Sequence, residues 1–241
     1  MIKKRLDQTL VELGIVRSRS QAESYIKLGK VSVNKKVITK PGQLIPEEAH
    51  SNIHLNIAEQ YVSRAALKLA SVTDALNIDF NGKTVLDVGS STGGFTDYAL
   101  KHGAIKVIAV ESGTDQLHPF LRDNPKIELH EKTDIRDFNT KEFIDIVVID
   151  VSFISLRDIL PHINKIIAKK TQVVAMVKPQ FEAKESSLKH KGVIKNDRVR
   201  RQILKEFELW SHPYYVIHNK LDSAVSGAKG NQERFYLIQK A

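Results

Sequence analysis

The sequence predicts an α/β fold: a doubly wound, mainly parallel sheet with its last strand antiparallel, preceded by a small basic α+β domain. Three observations predict it. From Lys83 onward the apolar runs TVLDVG, KVIAVE, IELHE, DIVVIDVSF and QVVAMVKPQF alternate with helical segments, and repeated β-α units imply parallel strands with helices on both faces. The last two runs, YYVIHNKL and ERFYLIQK, lie close together and predict an antiparallel end. The first forty residues stand apart by charge, with ten Lys or Arg against three acids, so most of the net charge of +9 belongs to one end.

Within that basic end, KKRLDQTLVELG places apolar residues at Leu6, Leu10, Val11 and Leu13 before Gly14, which predicts an amphipathic helix. SRSQAESYIKLG follows, with Ser18 or Ser20 as cap of a second helix ending at Gly29. KVSVNKKVI alternates and predicts a hairpin turning at Asn34 and the lysines. PEEAHSNIHLNIAEQYV then carries a short β-like piece and a linker, so residues 1–60 form one domain and 61–241 the other. SRAALKLASVTDAL opens the second domain as a helix capped by Ser63, with Lys68 inside it.

Composition narrows the chemistry. The 241 residues contain no cysteine, which removes disulfides, thiolate metal sites and cysteine nucleophiles, and no metal site is expected. No run approaches the roughly 18 apolar residues that span a bilayer, and MIKKRLDQTL lacks the apolar core of a signal peptide, so a cytoplasmic protein with no membrane contact is expected. A second basic cluster, Lys178 to Lys205, sets nine basic residues against three acids, and two such patches point to a polyanionic partner.

The segment RLDQTLVELGIVRSRSQAESYIKLGKVSVN resembles the small RNA-binding domain shared by a primary-binding small-subunit ribosomal protein, tyrosyl-tRNA synthetases and pseudouridine synthases. The resemblance implies RNA contacts through Lys3, Lys4, Arg5, Arg17, Arg19, Lys27, Lys30, Lys35 and Lys36, recognising the shape and phosphates of a folded RNA more than its sequence.

Thr84 to Gly94, TVLDVGSSTGG, delivers an acid from a strand into a glycine-rich turn that opens a helix, the layout of a cofactor cradle in which Gly89, Gly93 and Gly94 let backbone N–H groups approach a ligand. The spacing is not G-x-G-x-x-G, which disfavours a dinucleotide. S-adenosylmethionine carries a sulfonium and a ribose but no phosphate, and it suits Asp87 at the strand end, Glu111 after the second strand for the ribose hydroxyls and Asp134 after the third for the adenine amine. Ser90, Ser91, Thr92, Phe95 and Asp150 complete the expected cofactor set. These features together predict a Rossmann-like methyltransferase.

The methyl acceptor is narrowed by what is missing. Asp150-Val151-Ser152-Phe153 replaces the Asp/Asn-Pro-Pro-aromatic turn common in base-amine methylation, and methylation of a pyrimidine carbon commonly needs a cysteine. YVSRAALKL, LDVGSSTGGFTD, QLHPFLR, VVIDVSFISL, VKPQFE and GNQERF are similar to the TlyA family, bacterial proteins described both as haemolysins and as ribosomal RNA ribose methyltransferases with an FtsJ-like catalytic domain. The resemblance covers essentially the whole chain. It implies that Lys68, Asp150, Lys178 and Glu233 form a catalytic Lys-Asp-Lys-Glu tetrad acting on a ribose 2′-hydroxyl, in a cytidine of ribosomal RNA. A hydroxyl is a poor nucleophile and needs a base within hydrogen-bond reach. Lys178 is the expected base, its proton loss favoured by burial and by the neighbouring charge of Lys68. Two other readings stand beside this one: a pore-forming haemolysin, and a non-catalytic ribosome-assembly factor that binds RNA.

Overall fold

In a computed structural model the described residues are 3–16, 18–56, 60–183, 192–227 and 229–241; Arg17 and residues 184–191 of the second basic cluster lie outside them. The chain divides into two units, residues 1–67 and 68–241.

In the smaller unit the chain starts as a strand, not as the expected helix. β1 (Lys3–Arg5) pairs antiparallel with β4 (Leu44–Pro46), a partner forty residues away that no local periodicity announces, and α1 (Leu6–Glu12) begins only after it. Leu6 and Leu10 are buried, whereas Leu13, past the helix end, is exposed. α2 (Arg19–Lys27) is capped by Ser18, whose side chain accepts from the Gln21 N–H at 3.2 Å, so Ser18 and not Ser20 is the cap. β2 (Val31–Val33) and β3 (Lys36–Val37) form the expected hairpin, turning through Asn34 and Lys35, both at positive φ as a tight twisted turn demands. A 3₁₀ turn over Glu47–Asn52 leads to β5 (Ile53–Leu55), which pairs with β2. The stretch expected to be mostly linker therefore supplies an edge of this unit's three-stranded sheet.

α3 (Ala65–Thr73) carries Lys68. The hydroxyl of Ser63, expected as its cap, is buried and makes no hydrogen bond, and the helix starts two residues later.

The larger unit is a seven-stranded sheet built from β6 (Thr84–Val88), β7 (Lys106–Val110), β8 (Ile127–His130), β9 (Ile146–Ile149), β10 (Gln172–Val177), β11 (Tyr215–Asp222) and β12 (Arg234–Lys240). Its spatial order is β11-β12-β10-β9-β6-β7-β8, with α4 (Gly94–Lys101), α5 (Pro119–Arg122), α6 (Leu156–Ile166), α7 (Pro179–Glu182) and α8 (Asp197–Ser211) in the connections. β12 alone runs opposite to the other strands of this sheet, pairing antiparallel with both β10 and β11, between which it sits. Every residue of β9 is buried, the continuous apolar run of a strand covered on both faces. Side chains from β6, β9, β10, α6 and α8 share one core. No helix among the described residues is long and apolar enough to cross a membrane.

Candidate active site

Strand register decides which side chains meet. Val88 lies opposite Val110 on one side and Ile149 on the other, so the residues that follow them, Gly89, Glu111 and Asp150, leave the sheet side by side. Arg234 of β12 pairs with Val177 of β10, which brings the preceding Glu233 beside Lys178 at the same edge. This is the carboxyl edge of the parallel strands, and the chain reverses its direction of winding there between β6 and β9, the place where open α/β sheets hold ligands.

A cleft of about 450 Å³ opens at this edge. Glu111, Asp134 and Asp150 line it, and no lysine or arginine does among the described residues. Such a lining repels phosphate and favours a cation or a donor of hydroxyl hydrogens. Of the expected cofactor residues, Gly89, Ser91, Glu111, Asp134 and Asp150 reach the cleft. Asp87, Ser90, Thr92, Gly93, Gly94 and Phe95 do not line it: Asp87 and Ser90 are buried, Thr92 is exposed, Gly93 caps α4, Gly94 is its first residue, and the ring of Phe95 packs 6.2 Å from that of Phe235.

The turn differs from the expected cradle in its hydrogen bonds. The N–H groups of Gly89 and Ser90 donate to the Val110 carbonyl, that of Gly93 to the Ser90 carbonyl, and that of Ser91 to Glu111 Oε2 at 2.9 Å. They are engaged inside the protein. Glycine is required for shape instead: Gly89 and Gly93 have φ of +78° and +85°, and a Cβ would lie 3.0 Å from the Asp150 carbonyl oxygen at Gly89 and 2.5 Å from Leu121 Cδ1 at Gly93.

The acids at this edge have different partners. Glu111 also accepts from the Gly113 N–H through Oε1, at 2.7 Å, so it ties the glycine turn to the loop after β7. Hydrogen bonds from Arg136 hold the Asp134 carboxyl below the usual range. Asp87 is fully buried; its Oδ2 accepts from Thr96 Oγ1 at 2.6 Å, while Oδ1 is buried with no partner. Burial, reinforced by the charges of Asp150 and Glu111 against the Thr96 bond, pushes its pKa up to about 7.

The tetrad comes together as two ion pairs. Lys178 Nζ lies 2.6 Å from Asp150 Oδ1 and donates to Ser152 Oγ at 2.7 Å, and Lys68 Nζ lies 2.5 Å from Glu233 Oε2. Lys68, Lys178 and Glu233 are buried. Neither Asp150 Oδ1 nor Glu233 Oε2 takes part in a hydrogen bond, so both contacts are ion pairs held by electrostatic attraction. The close partner of each lysine is a carboxylate of the expected four.

Three residues here escaped the sequence reading. Ser152 binds the Lys178 amine. Phe153 lines the cleft, is 91% exposed, and adopts φ of +66°, a strained backbone for an aromatic residue; its ring rests 5.2 Å from that of Phe181. Glu182 is buried one helical turn beyond Lys178. The signal for Ser152 and Phe153 was their place directly after Asp150, and that for Glu182 its spacing from Lys178.

In the smaller unit, the residues expected to touch RNA fall into two groups. Lys4 pairs with Glu12, and Arg5 and Arg19 both pair with the buried Asp7 at 2.9 Å. Lys3, Lys27, Lys30, Lys35 and Lys36 are exposed and make no ion pair among the described residues. Arg17 lies outside the described residues.

An acid-lined cleft at the winding reversal of such a sheet, flanked by paired lysines and carboxylates, is the layout of the methyltransferase fold. Residues 61–240 match the FtsJ-like methyltransferase family, and residues 4–50 match the S4 domain. The 23S rRNA (cytidine-2′-O)-methyltransferase TlyA of Campylobacter jejuni is 40% identical over 76% of this chain and 73% of its own length. The 16S/23S rRNA (cytidine-2′-O)-methyltransferase TlyA of Mycobacterium tuberculosis is 34% identical over 98% of this chain and 90% of its own. A solved structure of a candidate hemolysin from Streptococcus thermophilus superposes with a TM-score of 0.72 at 32% identity, covering all of this chain and 90% of that one. The chain belongs to the TlyA family of ribosomal RNA 2′-O-methyltransferases, which join an S4 domain to an FtsJ-like methyltransferase domain.

Proposed function

We propose that this protein transfers a methyl group from S-adenosylmethionine to the ribose 2′-hydroxyl of a cytidine in 23S ribosomal RNA, the substrate that the names of both TlyA relatives share. In this reading residues 61–241 are the catalytic domain, residues 1–60 are the RNA-binding domain and linker, and action on ribosomes makes the protein cytoplasmic. The observation that carries it is the pair of ion pairs, Lys178–Asp150 and Lys68–Glu233, assembled from four separate elements beside an acid-lined cleft.

The residues present suit the cofactor. Glu111, Asp134 and Asp150 offer acceptors to hydroxyl and amine donors and a favourable field to a sulfonium, and no cationic side chain of the lining opposes it. The buried, unpartnered Asp87 Oδ1 and Ser90 Oγ leave acceptor capacity behind the turn. Gly89, Ser91, Glu111, Asp134 and Asp150 would hold the cofactor, which supplies an electrophilic methyl group.

Lys178 in its neutral form takes the proton of the 2′-hydroxyl. Asp150, 2.6 Å away, stabilises the ammonium that results, and Ser152 fixes the direction of the amine. Lys68 and Glu233 hold the ribose against this pair. The exposed ring of Phe153 offers a stacking face to a base turned out of its helix. Incubating large ribosomal subunits from a strain lacking this gene with the protein and tritiated S-adenosylmethionine should label 23S RNA at one cytidine, mapped by primer extension. Cofactor binding without label in either subunit's RNA would favour the assembly-factor reading.

A further inference from the structure

The loops that follow β9 and β10 carry the Lys178–Asp150 pair, and each comes from a different strand. Something must hold them in register. Asp150, Ser152 and Phe153 lie on the first loop, whose end is the N-terminus of α6; Lys178 lies on the second, which runs directly into α7. At the far end of α7, the Glu182 carboxylate reaches back across the gap. Its Oε1 accepts from the Leu156 N–H at 2.7 Å, its Oε2 accepts from Ser155 Oγ at 2.6 Å, and Arg157 Nε lies 3.5 Å from Oε2. Ser155 in turn accepts from the Arg157 N–H.

The carboxylate therefore closes the first turn of α6 from a neighbouring element. Its own backbone is tied to the base: the N–H groups of Phe181 and Glu182 both donate to the Lys178 carbonyl, at 2.9 and 3.3 Å. A rigid path leads from the α6 N-terminus through the Glu182 side chain and one helical turn to Lys178. A parallel path of aromatic contact runs from Phe153 to Phe181.

A buried acid is costly. Glu182 is 6% exposed, and burial raises its pKa above the ordinary value against the bonds from Ser155 and Leu156 and the charge of Arg157. A cap for α6 needs no such residue, because Ser155 already fills that role from within the chain. What Glu182 adds is a link between two loops. We propose that Glu182 is a positioning residue for methyl transfer, which fixes the Lys178 amine against Asp150 and Phe153 by tying α7 to the first turn of α6. This rests on the assignment of Lys178 as the base.

A link of this kind sets alignment rather than affinity. Removing it lets the loops drift, and a displacement of about 1 Å at a reacting centre costs on the order of 100-fold in rate. Gln keeps an acceptor for the Leu156 N–H and can donate to Ser155 Oγ, so Glu182→Gln preserves the link without the charge.

The test compares wild type, Glu182→Ala and Glu182→Gln in methylation of large ribosomal subunits lacking the modification, with cofactor affinity measured by calorimetry. Glu182→Ala should lower kcat on the order of 100-fold, leave KM for the subunit and Kd for S-adenosylmethionine within about two-fold, and Glu182→Gln should recover most of the loss. An active wild type with an unchanged kcat in Glu182→Ala overturns the positioning role. So does an equal loss in both variants accompanied by weakened cofactor binding, which marks a residue that merely keeps the fold. An inactive wild type instead overturns the methyltransferase reading itself.

Discussion

Asp7 and Asp87 are both fully buried carboxylates, one in each unit, and the protein treats them in opposite ways. Burial raises the pKa of Asp7, but hydrogen bonds from Arg5 and Arg19 outweigh it and hold the carboxyl below its ordinary range. Asp87 is held by uncharged groups of Thr96, has one oxygen without a partner, and a pKa of about 7. Burial alone therefore says little about a carboxylate's charge; its partners decide it. Where the partners are complete the carboxylate stays charged and locks the fold, and where they are missing its charge costs stability.

The Lys178–Asp150 pair is the hardest test of that rule, since a carboxylate stands 2.6 Å from the amine and yet the proposed chemistry needs Lys178 to give up its proton. Lys178→Ala should lower methyl transfer by roughly 10³-fold or more, the scale of a lost general base, while calorimetric binding of S-adenosylmethionine persists. Turnover at the wild-type rate would place Lys178 with the structural pairs.

Asp87 is the next. Its folded pKa lies above the unfolded value of about 3.9, so the folded state binds the extra proton, and stability falls as pH rises from about 4 to about 7 and levels off beyond. Asp87→Asn removes the buried charge, keeps an acceptor for Thr96, and should raise the unfolding free energy at pH 8 by up to about 4 kcal/mol while flattening that slope. It should also weaken cofactor binding at least about ten-fold if the free oxygen serves the ligand. Denaturant melts across this pH range and calorimetry check both halves; a variant less stable than wild type at pH 8 would show that the charge is matched after all.

Asp7 should behave in the reverse sense. Its folded pKa is depressed, so its stabilisation is present above about pH 4 and lost as the pH falls through the folded value. Because Arg5 and Arg19 are about half exposed, water screens part of the interaction, and Asp7→Asn should cost about 2 kcal/mol, seen as a lower melting temperature of the small unit at pH 7 and a smaller loss at pH 3. An equal loss at both pH values would mean that packing and not charge is responsible.

The two acids also mark what the sequence could disclose. The strands were legible because buried parallel strands must be apolar runs, and the Gly89 and Gly93 turn because glycines after a strand mark one; that those glycines serve the turn's shape, and not the approach of N–H groups to a ligand, was not legible. The residues of the tetrad were legible through family likeness. Their pairing was not: Lys178 meets Asp150 because β10 lies beside β9, and Glu233 reaches the same edge to meet Lys68 only because β12 enters between β10 and β11, neighbourhoods that no local pattern records. β1 was missed for the same reason, its partner being β4. Ser63 shows the opposite failure: the residue type was right for a cap, but the chain turned into the helix two positions later.

The smallest effect concerns the basic residues of the small unit, where the same contrast between engaged and free charge recurs. Arg5 and Arg19 are committed to Asp7, whereas Lys27, Lys30, Lys35 and Lys36 are exposed with no ion pair among the described residues. A free ammonium brought against a phosphate releases a condensed counterion, which steepens the salt dependence of binding by about 0.7 to 0.9 per contact. An arginine already paired with a carboxylate releases less, because part of its charge is neutralised before RNA arrives. Replacing each of the four lysines by alanine should thus weaken binding to ribosomal RNA about equally, by roughly 1 kcal/mol or less each, and the quadruple variant should flatten the slope of log K against log salt by about 3. Arg19→Ala should lower stability more than it alters that slope. An unchanged slope in the quadruple variant would remove these lysines from the RNA surface, and a large slope change on Arg19→Ala would show that its pairing with Asp7 orients a guanidinium for phosphate rather than retiring it from binding.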